Sequence, residues 1–172
     1  MKNKLVLNNI ISFIVLVLVQ VLILKNIRLG GYINPLLHIL FIIRMPSNIS
    51  GWAVLCLSFL LGVTVDIFSG NMGFYTFAST LTGFCRISLF NVFFSKHEQE
   101  SVFMPSLSSM NFGSFTLYSS VLVFIHCFCY FFLETFIWGE IFSILWRSIL
   151  STTVTLMLIL FIEFLLKFTK KR

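Results

Sequence analysis

The sequence predicts an all-α integral membrane protein of six transmembrane helices, the second of them short. Three observations lead there. Apolar residues make up 58% of the 172 residues and charged residues only 10%, far from the composition of a soluble globular domain. The apolar residues gather into runs near the ~20 residues that cross about 30 Å of hydrocarbon. The basic residues cluster at the ends of these runs rather than inside them. A chain of this length fits one polytopic domain over residues 1–172.

The first run, Leu5 to Leu24, starts like a secretory leader. Its apolar stretch is long, however, and no small-x-small cleavage site closes it, so it reads as a retained anchor. The second, Ile33 to Ile43, is about eleven residues and at ~1.5 Å per residue reaches only about half the hydrocarbon thickness. Gly30 to Asn34 can extend it at the front and Pro35 fits a first helical turn. It is expected as a short, tilted or half-inserted helix. Four further runs follow: Trp52 to Phe68, Met72 to Phe94, Phe112 to Ile137 and Phe142 to Phe168. The polar stretch Ser95 to Asn111 carries Lys96, His97, Glu98, Glu100, Pro105 and several serines, and reads as a connecting loop and not a catalytic lid.

Charge orients these segments. With six crossings Lys2, Lys4, Arg44, Lys96, Lys167, Lys170, Lys171 and Arg172 share one side, and only Lys25 and Arg28 lie opposite. The positive-inside bias therefore predicts both termini in the cytoplasm and, for a bacterial chain, the inner membrane. In a soluble protein the net charge of +6 would suggest nucleic acid. Here the cations are topology signals at the anionic leaflet, and no nucleic-acid partner is expected.

Candidate chemistry concentrates between Gly62 and Gly73. Gly62 and Asp66 are four apart and share a helical face, with Ser58 a turn before and Ser69 nearly a turn after. A small, polar stripe of this kind lets membrane helices approach closely; a substrate path is the other reading. Asp66 is the only aspartate, and an ionisable residue in a membrane segment is by default a candidate functional site. Three roles are open to it: accepting from unpaired N–H groups around the Ser69-Gly70-Asn71 turn and the next helix start, pairing with a cation, or handling a proton or substrate. By depth Arg147, about 8 Å into the last segment, is a better partner than Arg86, with Glu134 and Glu140 as competitors for it. Arg86 can snorkel towards the cytoplasm or approach Glu163.

His38 and His126 stand singly among apolar residues and read as hydrogen-bonded packing residues. Cys56, Cys85, Cys127 and Cys129 all lie in apolar runs. Cys127 and Cys129, two apart, point in different directions on a helix, so neither a metal nor a cofactor site is read from them. No Ser-His-Asp set, paired carboxylates, phosphate loop or zinc-protease motif is visible, and no catalytic residue is assigned.

The pattern Gly62-x-x-x-Asp66 followed by Gly70-x-x-Gly73, with Gln20 late in the first segment, Asn34-Pro35 opening a short second one, and the overall size, resembles the MreD family. The likeness covers the chain to about Phe94; beyond it only hydropathy matches. It implies a six-helix fold similar to the substrate-binding components of vitamin transporters. It also implies a non-catalytic, scaffolding role in the bacterial rod-shape (cell-elongation) complex that supports peptidoglycan synthesis. The implied partners are the MreC-type periplasmic scaffold protein, MreB filaments, and the RodA glycosyltransferase with its transpeptidase, besides membrane lipid. The abundance of Phe, 22 residues, departs from that pattern.

Two other classes compete. A solute-uptake component for a vitamin-like molecule could use the same fold and predicts polar side chains converging on the outer side, where Asp66, Asn71, Tyr75 and Arg147 are the visible candidates. A membrane-embedded transferase needs several carboxylates or cations facing one pocket, a grouping the sequence does not display.

Overall fold

The computed structural model describes residues 2–24, 34–94, 104–136 and 138–169, and these are all-helical. Among them are six α-helices: α1 (Lys2–Leu22), a very short α2 (Leu40–Ile43) entered through a 3-10 turn (Leu37–Ile39), α3 (Gly51–Ser69), α4 (Phe74–Phe93), α5 (Phe112–Thr135) and α6 (Ile141–Thr169). A second 3-10 turn, Trp138–Glu140, joins α5 to α6. Lys25, Arg28 and Gly30, the loop residues Lys96, His97, Glu98 and Glu100, the side chains of Lys2 and Lys4, and Lys170, Lys171 and Arg172 lie outside the described residues.

Three helices, α3, α5 and α6, are long and apolar enough to cross a membrane. The sequence runs also predict crossings at α1 and α4, which are not among these three. In α1 the described side chains form a shorter apolar stretch, Asn9–Leu22. In α4, Tyr75, Ser79, Thr82 and Arg86 recur at helical spacing and are buried. The helix turns a polar face into the protein, which lowers its hydropathy without exposing that face to lipid.

α3 packs along α4, α4 along α5, α5 along α6, and α1 covers α3. Exposed apolar side chains cover the outside of these helices, among them Phe59, Ile67, Phe84, Leu117, Trp146 and Phe161.

The second segment differs from its expectation. Only residues 37–43 are helical, spanning about 12 Å, and Leu36 through Ile43 are buried between α1, α4 and α6. The irregular start is stabilised by side chains. The Asn34 N–H donates to Ser151 Oγ at 3.1 Å and the Leu36 N–H to Thr155 Oγ1 at 3.0 Å. Pro35 has no N–H, and its carbonyl accepts from Gln20 Nε2 at 3.0 Å. The His38 N–H reaches Gln20 Oε1 at 3.4 Å. Non-helical backbone is tolerated at depth only where the protein supplies its partners, and here α1 and α6 supply them.

Candidate functional site

The Gly62–Gly73 stretch forms the junction between α3 and α4. Asp66 is 5% exposed and works at both ends of the turn. Its backbone carbonyl accepts from the N–H groups of Gly70 and Asn71, closing α3. Its carboxylate accepts from the Tyr75 N–H at 3.2 Å, the Thr76 N–H at 2.7 Å and the Thr76 hydroxyl at 2.5 Å, opening α4. A carboxylate at this point satisfies donors that have no partner within the helix and faces the positive end of its dipole. Gly70 (φ 70°) and Gly73 (φ 91°) both take the left-handed conformation that side chains disfavour, so the turn reverses the chain in a few residues.

Gly62 brings the two helices into contact. A Cβ built on it would lie 2.6 Å from the Tyr75 carbonyl oxygen, 2.8 Å from the Thr76 nitrogen and closer still to the Thr76 Cα. Two turns deeper the arrangement is mirrored: Gly83 of α4 faces Ser58 of α3, and a Cβ there would overlap Ser58 Oγ and come within 2.9 Å of Ser58 Cβ. The small stripe Ser58, Gly62, Asp66 is therefore a seam inside the fold. Gly83, its counterpart, is absent from the sequence reading, although its spacing from Ser79 and Thr76 places it on the same face.

Arg147 does not meet Asp66. Its Nη2 lies 2.9 Å from Glu134 Oε2, and its guanidinium sits over the Phe131 ring at 4.6 Å. The tight turn between α5 and α6 sets these residues side by side, so Glu134 prevails as its partner. Arg86 donates to the Met45 carbonyl at 2.6 Å, at the end of the short second segment, and lies 5.2 Å from the Phe90 ring. Glu163, the other partner considered for Arg86, instead pairs with Arg44 Nε at 3.2 Å and accepts from the Leu107 N–H at 3.2 Å.

The largest departure from the sequence reading is at the two histidines. His38 and His126 are both fully buried and meet edge to face at 5.0 Å between ring centroids. His38 also abuts Tyr75 at 5.4 Å, and Tyr75 stacks on Tyr130 at 4.5 Å. Asn34 Nδ2 donates to the Tyr75 hydroxyl at 3.4 Å, and Thr82 Oγ1 lies 3.3 Å from His126 Nδ1. Yet both ring nitrogens of His38, Nε2 of His126, Asn34 Oδ1 and Ser79 Oγ are buried without a hydrogen-bond partner. Buried polar atoms are nearly always paired, so these residues form a polar cluster within the otherwise apolar interior. Of the residues named for a converging outer site, only Tyr75 takes part. Asp66 is used in the junction and Arg147 by Glu134.

Ser148, Ser151, Thr155 and Glu163 follow helical spacing on α6 and are all buried, forming a polar stripe from which Ser151 and Thr155 hold the start of the second segment. The cysteines are all free, with Cys127 buried and Cys129 half-buried. No group of three His, Cys, Asp or Glu side chains able to hold a metal occurs among the described residues. No model of a known protein family, no characterised protein and no solved structure matches the chain.

Proposed function

We propose that this chain is a non-catalytic inner-membrane subunit of the bacterial cell-elongation complex, recognising partners through its lipid-facing helix surfaces. The observation that carries the reading is that the residues on which the MreD resemblance rests act together. Gln20 and Asn34-Pro35 anchor the short second segment, while Gly62, Asp66, Gly70 and Gly73 build the α3–α4 junction. These positions support a common architecture rather than a reaction. In this reading all six segments lie in the bilayer, the second only partly, with both termini cytoplasmic. The fold is then similar to vitamin-transporter binding components, and an MreC-type single-helix protein packs on the exposed apolar faces. MreB filaments and RodA with its transpeptidase are the wider assembly.

Co-purification from mild detergent tests it. The chain should retain the MreC-type protein of its own cell, and its depletion should round rod-shaped cells. Reporter fusions at both ends should place the termini in the cytoplasm. Normal rods after depletion, with no MreC-type protein retained, would remove the reading.

The polar cluster of His38, His126, Asn34 and Tyr75 favours one second reading, a component that binds a small polar solute. Its unpaired ring nitrogens and amide oxygen are the kind of convergent groups a solute site needs. Saturable binding of a vitamin-like solute that is lost in His126→Leu would promote it over the scaffold.

A further inference from the structure

Away from the junction and the histidine cluster, a groove of about 840 Å³ lies between α1, the second segment, α3 and α6. Its walls are apolar, with Phe13, Leu57, Leu60 and Ile162 among them, and Arg44 stands in its lining. We propose that this groove holds one anionic phospholipid, its acyl chain against the apolar walls and its phosphate on Arg44.

Position and charge both support that occupant. Arg44 follows the last turn of α2, Pro46 and Ile49 lie between it and α3, and Leu166 lies near the end of α6. These belong to one end of the bundle, whereas Leu57 and Leu60 lie midway along α3, so the cation is at a leaflet surface and the groove runs inward from it. The ion pair with Glu163 engages Nε, and the Arg44 side chain remains 32% exposed while Glu163 is buried at 2%. The guanidinium therefore keeps donors for a phosphate, with which arginine forms paired hydrogen bonds. Lys167, exposed one turn beyond Glu163, adds a second cation at this end of the bundle. The volume falls within the ~300–1,000 Å³ of small-ligand sites. A partner helix fits less well: α1 lines the groove only from Asn9 to Leu16, about 10 Å of helix.

The inference rests on the membrane reading but not on which side the termini face. The test is reconstitution in nanodiscs of phosphatidylcholine and phosphatidylglycerol with matched acyl chains, followed by native mass spectrometry of the retained lipid. The wild type should retain phosphatidylglycerol preferentially. R44Q should lower that preference about fivefold, the effect of one basic residue at a membrane surface. R44K should keep most of it. E163Q, which removes the competing carboxylate, should raise it, and L60W should release lipid of either charge. Equal retention of both lipids by the wild type, or an unchanged preference in R44Q, would overturn the proposal. So would competition by inorganic phosphate, which would assign Arg44 to a soluble anion. A chain that stays in solution without detergent would instead sink the membrane reading itself.

Discussion

Replacing Asp66 tests the junction most directly. Its carboxylate accepts from two backbone N–H groups and one hydroxyl, and an unpaired buried donor costs about 1–3 kcal/mol. Leucine strands both N–H groups and removes the charge facing the helix dipole, worth a further ~0.3–1 kcal/mol. Because Thr76 is half-buried, its N–H recovers some solvation, so the expected loss for Asp66→Leu is about 2–4 kcal/mol. Asparagine keeps one acceptor oxygen but turns its amide donor towards a second N–H. Since both carboxylate oxygens are in use, Asp66→Asn is expected to lose about 1–2 kcal/mol rather than be silent. Equilibrium unfolding in mixed micelles titrated with dodecyl sulfate, followed by circular dichroism, measures both. Asp66→Leu within about 0.5 kcal/mol of the wild type would show that the N–H groups find other partners. Equal losses in both variants, with abundance unchanged and partner binding gone, would assign the residue's importance to its charge.

Four further outcomes are expected. Gly62→Ala should destabilise by about 1–3 kcal/mol, because the added methyl meets α4 backbone that cannot move aside; lost abundance rather than lost partner binding at normal abundance is the readout. Gly83→Ala should be comparably harmful and rescued by Ser58→Gly, whose side chain is the obstruction, so a double-mutant cycle in the same unfolding assay should give a coupling of about 1 kcal/mol or more. Thr155→Val should cost about 1–3 kcal/mol by stranding the Leu36 N–H, whereas Glu134→Gln, which weakens a partly exposed ion pair, should cost under about 1 kcal/mol.

Much of the architecture is legible in the chain because hydrocarbon is an unforgiving solvent: a helix is the cheapest way to satisfy a backbone there, and apolar run length reports it. The bounds of α3 to α6 follow from the runs to within a few residues, and the Gly70 and Gly73 turn follows from backbone conformations that only glycine adopts readily. The face of α3 carrying Ser58, Gly62 and Asp66 is equally readable from a period of 3.6 residues. Periodicity names a face but not what covers it. Only the packed structure turns that face onto α4, joins Arg147 to Glu134 across a tight turn, and lets α6 hydroxyls hold the irregular backbone of the second segment. His38 and His126 lie 88 positions apart in the chain and carry no local sign of one another. Their contact arises because the short second segment is enclosed by helices from both halves of the chain, a long-range packing outcome to which hydropathy is blind.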